Sequence, residues 1–454
     1  MSSVYKLKKG FDINLAGTAE LITSGTHQTE RFAIKPTDFP GFERPKLLVE
    51  EGDAVKAGTP LLFDKTQPSV QYCSPVSGEV IQIKRGEKRK LLEIQVLADR
   101  TLEYEDFPRF SSSELESLTR EVIIDQLCLG GVWPHIIQRP FGIVANPEDS
   151  PKNIFISAFD THPLAPDYDY VFKGNENYLQ AGINILKKLT EGNIHLSINN
   201  KKEISPVFDH LKNVKIHKFQ GSHPAGNVGI QIHHIHPIGK GDIVWTTTPY
   251  GLIQIGKLFL EGKYDATSLV AVTGSEIKNP QYVKTLTGAC INKFVDGELA
   301  NDHVRFISGN PLTGERIERD GFLGFYHKQL SVLPEGDYHE FLGWLTPTAE
   351  KLSFQRAIGL LSFLNPKKEF ALDTNARGEP RAFVQTGIFE QVIPMDIFPM
   401  YLMKAIMAED YDEMEALGIY EVIEEDLALC EFVDVSKHDI QQMVRDGINL
   451  LRYS

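Results

Sequence analysis

The chain has 454 residues, 42% of them hydrophobic, and a formal net charge of −14 at pH 7. That length exceeds what one core serves and calls for several domains. The acidic balance, with only the short basic run KRGEKRK at 84–90, excludes a nucleic-acid binder, because phosphate contacts need clustered Lys and Arg.

Residues 1–30 read as an extended arm, with strand and turn signals at KGFD (9–12) and LAG (15–17). The opening MSSVYKLKKGFDINLAG lacks the apolar stretch of a signal peptide, and no run in the chain approaches the ~18 apolar residues that cross a bilayer. A cytosolic protein is expected, reaching a membrane only through a partner. Residues 31–100 form a β unit organised on 46–81, KLLVEEGDAVKAGTPLLFDKTQPSVQYCSPVSGEVI. Its first half, Val49 to Leu62, reads V-x-x-G-D-x-V-x-x-G-x-x-L-L: strand, Gly-Asp turn, strand, Gly turn. Gly52 and Gly58 fall where a positive φ is needed. A second set of strands starts at Ser74, and LLEIQV at 91–96 closes the unit. Two such halves resemble the flattened barrel of biotinyl and lipoyl carrier domains, whose modified lysine stands at the hairpin between the halves. Lys65 falls near that place. The connection from Lys65 to Ser74 reads as longer than a carrier hairpin, contains Pro68 and lacks a Met-Lys-Met or Thr-Asp-Lys-Ala tip, so Lys65 is expected to be unmodified.

Residues 113–130 (SELESLTREVIIDQLCLG) predict a helix, with Ser113 and Glu116 as a capping box and Gly130-Gly131 as the stop. From 152 to 245 strand and helix alternate: strands at 154–158, 194–199 and 214–219, a helix at 176–189 and a helical turn at 206–211. That order argues for a parallel, Rossmann-like sheet. Neither G-x-G-x-x-G nor a P-loop is present, so a bound nicotinamide cofactor is not supported. Residues 268–312 form a further unit, with a strand ending at Gly274, a turn at Lys278-Asn279-Pro280 and a strand at 304–308, and it resembles the small β-grasp module. Residues 387–454 are helical, at 396–408, 411–417, 424–430 and 440–451, after Pro394 and Pro399. The fold class is thus multidomain α/β. A carrier-like β barrel with its arm spans 1–104 and a Rossmann-like domain 105–262. A β-grasp-like domain with extra strands covers 263–380, and a helical bundle 381–454. Cys73, Cys128, Cys290 and Cys430 stand alone with no C-x-x-C pair, so neither structural zinc nor a cysteine-held iron–sulfur cluster is expected.

The order of these units, and several segments within them, resemble the A subunit of the bacterial Na⁺-translocating NADH:quinone reductase. The segments are KKGFDINLAG, GGVWPHIIQRPFGIV, AFDTHPLAPD (158–167), GSHPAGNVGIQIHHIHP (221–237), YHKQLSVLPEG (326–336), IPMDIFPMYLMKAIMAEDYDEMEALG (393–418) and EEDLALC (424–430). The C subunit of Rnf electron-transport complexes is similar in layout but carries cysteine-held clusters in its C-terminal part. Here Cys430 is followed by EFVDVSKHDI, so those ligands are missing. The flavin-binding subunit of respiratory complex I is a more distant analogue, and its glycine-rich loop is not recognisable in GGVWPHIIQRP. The resemblance implies a complex that oxidises NADH, reduces a quinone and expels Na⁺, with flavins and iron–sulfur centres in other subunits and no tightly held redox group in this chain. This chain would be a peripheral subunit on the cytoplasmic face, covering a membrane subunit. The rival class is a free cytosolic lipoyl-like carrier or soluble-ligand binder.

Eight residues are candidates for quinone or partner contact; none is expected to be catalytic or to hold a metal. Trp133, Arg139 and Phe141 combine large aromatics and a planar cation in a Gly/Pro-rich loop, the composition of an interface anchor, against packing under the loop. Asp160 and His162 follow an apolar strand, the edge at which α/β sheets bind ligands, against a capped turn. Tyr326, His327 and Trp344 form an aromatic group that would face a quinone ring, against core packing. His223, His233, His234 and His236 invite a metal reading: were 230–235 a strand, His234 and His236 would share a face. No third ligand is placed by the sequence, and loop histidines are the expectation.

Overall fold

The computed structural model of the chain describes residues 3–24, 29–200, 205–341, 343, 348–355, 361, 364, 367–383 and 387–453. Two small sheets share the core of the first unit. One runs in the order Arg31–Ile34, Leu91–Ala98, Gly78–Arg85, Ala54–Val55, the other Pro45–Leu47, Pro60–Asp64, Gln67–Cys73. Leu62, Val70, Tyr72, Val80, Ile94 and Val96 fill the space between them. Gly52 and Gly58 take φ of +95° and +100° at the turns that require it. The connection at Lys65 is shorter than the sequence suggested. Asp64 pairs with Gln67, and Lys65 and Thr66 alone make the turn. The Asp64 carboxylate fixes it, accepting from Thr66 N at 2.9 Å and Glu43 N at 2.6 Å. Pro68 is accommodated because its strand lies at the edge of its sheet.

The arm leaves this barrel. Ser3–Lys6 adds in parallel to Lys215–Gln220, Glu20–Ser24 to Gln281–Leu286, and Ile13 and Leu15 enter the C-terminal core. Each edge strand would otherwise present a row of unpaired backbone groups.

The α/β sheet has Ser3–Lys6, Lys215–Gln220, Ile194–Asn199, Ile154–Ser157 and Val244–Thr247 in parallel, then Ile137–Arg139 and Ile143–Val144 antiparallel at the far edge. The strands IFIS and IHLSI are buried at nearly every position, as suits strands covered on both faces. On one face the helices Glu176–Lys187 and Pro249–Glu261 touch backbone to backbone. A Cβ at Gly182 would meet the Leu252 carbonyl and one at Gly256 the Tyr178 carbonyl. The second helix is delimited by Thr248, which accepts from Gly251 N at 3.3 Å, by Pro249 in the first turn, and by Gly262 at φ +65°. Gly256→Ala is therefore expected to force the helices apart and cost about 1–3 kcal/mol in thermal unfolding; an unchanged melting temperature would contradict the contact.

Two helix expectations change. The stretch 113–130 is split into a 3₁₀ turn, Glu114–Ser117, and the helix Arg120–Leu129. The cap belongs to Ser111, whose N and Oγ both donate to Glu114 Oε2 at 2.7 Å, and Leu118 is extended. Residues 230–235 belong to a helix, Val228–Ile235. Val228, Ile232 and Ile235 sit at helical spacing and pack on Phe155 and Val244, which outweighs the β preference of the branched residues. His234 accordingly lies within the helix, 2.8 Å from Pro394 O, while His236 stands at its C-terminal cap, so the strand face that the two would share does not form.

The third unit is a six-stranded sheet in the order Glu315–Ile317, Val304–Ser308, Gln329–Pro334, Thr267–Thr273, Gln281–Leu286, Glu20–Ser24. The C-terminal helices Phe389–Val392, Pro399–Met407, Tyr411–Ala416, Glu424–Val433 and Ile440–Tyr453 close on their own core around Leu402, Met403, Leu427, Leu429 and Val444. All four cysteines are free and buried.

Candidate functional site

The carboxyl edge of the parallel sheet meets the start of the C-terminal helix Glu424–Val433, and charged groups are buried at the junction. After the strand Ile154–Ser157 the chain turns through Asp160, whose Oδ1 accepts from His162 N at 2.8 Å and contacts His162 Nδ1 at 2.7 Å. Burial opposes charge on His162, but the Asp160 carboxylate outweighs it and holds the imidazole above its ordinary value. Thr161 Oγ1 lies 3.2 Å from His223 Nδ1 and accepts from Gly226 N at 2.9 Å. The rings of His162 and His223 are 4.6 Å apart, and burial together with His162 pushes His223 well below the usual range. The two neighbouring imidazoles are therefore shifted in opposite directions. Neither His162 Nε2 nor His223 Nε2 has a hydrogen-bond partner among the described residues. A cleft of about 460 Å³ opens above His162, walled by Asp12, Leu15, Thr161, Lys367 and Glu369.

Arg139 ends the short strand Ile137–Arg139 and is fully buried. Its Nη1 donates to Asp426 Oδ2 at 2.9 Å and its Nη2 to Glu425 Oε1 at 3.0 Å. Burial works against the guanidinium, and the two carboxylates more than restore it. Partial burial, with the side chain still 36% exposed, and the Asp426 charge push Glu425 up, with Arg139 opposing. Asp426 also accepts from Ile423 N at 3.0 Å, capping its own helix. Gly229 lets the helix Val228–Ile235 approach, since a Cβ there would run into the Asp426 carboxylate. Asn227 Nδ2 donates to Glu425 O at 2.9 Å, and Arg445, paired to Glu424, donates to Phe141 O at 2.8 Å.

The loop candidates therefore face inward. Trp133 is fully buried, donates to Ala145 O at 2.7 Å and meets Trp245 edge to face at 5.5 Å. Phe141 packs against the C-terminal core. The Gly130-Gly131 pair presses on Leu258 and Cys73, where added Cβ atoms would lie 2.5 Å and 2.7 Å away. This loop does not fit a flavin: its glycines serve packing, and its aromatics fill the space beneath it. Tyr326 is half-buried among Phe39, His135 and Phe325 and donates to Pro134 O at 2.6 Å. His327 Nδ1 lies 2.8 Å from Ser308 Oγ, and burial pushes the ring down to about 4. Trp344 lies outside the described residues. The structure thus brings Arg139, Asp160 and His162 into one electrostatic cluster with Glu425 and Asp426, gathers Trp133 and Tyr326 around the turn at 133–135, and leaves His327 apart. Glu425 and Asp426 were not singled out from the sequence, and His223 was weighed only as a metal ligand. The signals available were an arginine inside the apolar stretch IIQRPFGIV, which cannot be buried unpaired, and three acids opening an apolar helix.

Among the described residues no group of three or more His, Cys, Asp or Glu is placed to hold a metal ion, and no helix is long and apolar enough to cross a membrane. A barrel, a parallel α/β sheet, a second sheet and a helical cap that shares an apolar core with them and pairs with Arg139 define a multidomain α/β protein. Residues 5–99 match the family model of the NqrA N-terminal barrel-sandwich hybrid domain, 118–264 the NqrA second alpha/beta domain and 269–319 the NQRA C-terminal domain. The A subunit of the Na(+)-translocating NADH-quinone reductase of Alcanivorax borkumensis is 37% identical over 448 residues, 98% of this chain and 99% of that protein. Its namesake from Rhodopirellula baltica is 35% identical over 99% of this chain and 98% of its own length. The chain belongs to this family, the A subunits of Na(+)-translocating NADH-quinone reductase. Among solved structures, an NAD+-reducing [NiFe]-hydrogenase is similar over 78% of this chain and 66% of its own, at 11% identity and a TM-score of 0.35, too loosely to define a common fold.

Proposed function

We propose that this chain is the peripheral, cytoplasmic-face A subunit of a Na⁺-translocating NADH:quinone oxidoreductase, where it covers a membrane subunit whose quinone site it helps to shape. The observation that carries this reading is the family match along essentially the whole length of both partners. Within the complex, NADH, flavins and iron–sulfur centres belong to other subunits. The domain scheme 1–104, 105–262, 263–380 and 381–454, with Rossmann-like and β-grasp-like middle units, is part of the same reading. Of the eight contact candidates, Asp160 and His162 have the geometry best suited to a ligand. His162 lines a cleft, its Nδ1 held by the Asp160 carboxylate and its Nε2 buried without a partner among the described residues, and a quinone carbonyl reaching that nitrogen would suit a hydrogen bond.

Membranes from cells making the tagged chain test this. The chain is expected to co-purify with hydrophobic subunits and with NADH-driven quinone reduction. His162→Gln is expected to lower that reduction about tenfold, the loss of one hydrogen bond worth about 1.4 kcal/mol, while NADH oxidation by an artificial acceptor is unchanged. The rival carrier reading is favoured by one observation: Lys65 stands in a two-residue turn. An intact mass equal to the sequence, from a chain that co-purifies, removes that rival. A lipoyl adduct on a chain without membrane partners would overturn the subunit reading.

A further inference from the structure

The helix Pro399–Met407 turns Met400, Leu402, Met403, Ala405 and Ile406 into the C-terminal core. A surface helix normally shows charges on its other side. Here the outward stripe, at spacings of three to four residues, is Phe398, Tyr401, Lys404 and Met407, continued by Tyr411 at the next helix. Phe398, Tyr401 and Met407 are 58%, 53% and 62% exposed. The aromatic rings of Phe398 and Tyr401 meet edge to face at 6.4 Å, and Lys404 Nζ lies 5.9 Å from the Tyr401 ring, so the stripe is arranged before any partner arrives. Its surroundings are acidic. Residues 396–413 contain Asp396, Glu409, Asp410, Asp412 and Glu413 against Lys404 alone, and these five carboxylate residues are all exposed.

We propose that this stripe is a docking face for a Lys/Arg-rich cytoplasmic loop of a membrane-embedded partner subunit. The inference rests on the subunit reading above and names the surface that serves it. Exposed contiguous apolar groups of this kind mark interaction sites, and aromatic side chains are the usual anchors. The acidic rim selects the occupant by charge. Cytoplasmic loops of membrane proteins carry an excess of Lys and Arg, whereas an anionic leaflet and a second copy of this chain both present negative charge to the same rim.

The test uses full-length chain expressed with its complex. Phe398→Asp with Tyr401→Asp is expected to lower the amount of chain recovered with the membrane subunits at least tenfold. The melting temperature of the isolated chain should stay that of wild type, because both side chains are outside the core. Asp412→Lys with Glu413→Lys should weaken recovery less, and wild-type recovery should decline with rising salt. Recovery of the aspartate variant at wild-type level, from a wild-type chain that does co-purify, overturns the docking face and leaves the subunit reading standing. A wild-type chain that brings down no membrane subunit overturns both. Binding of wild type to protein-free vesicles containing phosphatidylglycerol, or a homodimer that the aspartate variant splits, overturns the docking face by naming another occupant.

Discussion

Replacing Arg139 with alanine is expected to destabilise the protein by roughly 3–5 kcal/mol, the cost of leaving a buried charge without its partner. The side chains of Arg139 and Asp426 are 2% and 0% exposed. In the variant Asp426 retains the Ile423 N–H but loses its cation, and Glu425 loses its link to the sheet. The effect should be localised. The helices Glu424–Val433 and Ile440–Tyr453 are held to the α/β unit through Arg139, Asn227 and the contact from Arg445 to Phe141 O. Amide hydrogens of 424–453 should therefore lose exchange protection before those of the parallel strands. Arg139→Lys should recover little, since an ammonium cannot span two carboxylates as the guanidinium fork does. Arg139→Met combined with Asp426→Leu should recover most of the loss, because the desolvation of both charges disappears together. A loss below about 1 kcal/mol for Arg139→Ala, with uniform protection, would show that the ion pairs do not hold the helical region.

This junction also shows what the sequence could carry. The parallel strands were legible because IFIS is a short apolar run and IHLSIN alternates apolar and polar residues, and the helix Glu176–Lys187 because its apolar positions recur at helical spacing. The helix Val228–Ile235 was not, since a short run of branched residues serves either period and packing on Phe155 decides it. Trp133 and Arg139 were legible as anchors, but composition does not say which way an anchor points. Both anchor the chain to itself: Trp133 beneath its loop and Arg139 to residues 286 and 287 positions away. Asp160 with His162 lies just after an apolar strand at the sheet's carboxyl edge, while His223, which completes the pair of rings, arrives from a loop 61 positions after His162. The partners across such distances are set by topology.

Lys328→Met is expected to stabilise the protein at pH 7. Lys328 is buried, and its Nζ donates to Thr287 Oγ1 at 3.2 Å and Phe325 O at 3.0 Å, with no carboxylate in ion-pair contact among the described residues. Burial pushes its pKa from 10.5 to about 8, with the charge of Asp38 opposing. The folded state therefore penalises the charged form. The unfolded chain binds more protons between pH 8 and 10.5, so the wild-type protein gains stability as pH rises through that window and is flat below it. The penalty at neutral pH is on the order of 3 kcal/mol. Methionine is similar in length, removes that penalty and gives up two neutral hydrogen bonds worth about 1 kcal/mol each. The net gain is expected at about 1 kcal/mol near pH 7, vanishing near about pH 9 and reversed at pH 10. Beside Lys328, burial first and this cation second hold His135 down at about 3, so the methionine variant should also raise the His135 pKa, readable by NMR of its ring protons. Denaturant unfolding at pH 7 and pH 10 checks the first point. A variant less stable than wild type by more than about 1 kcal/mol at pH 7 would mean that the two hydrogen bonds outweigh the buried charge. An advantage that stays constant with pH would mean that Lys328 keeps its ordinary pKa in the folded protein.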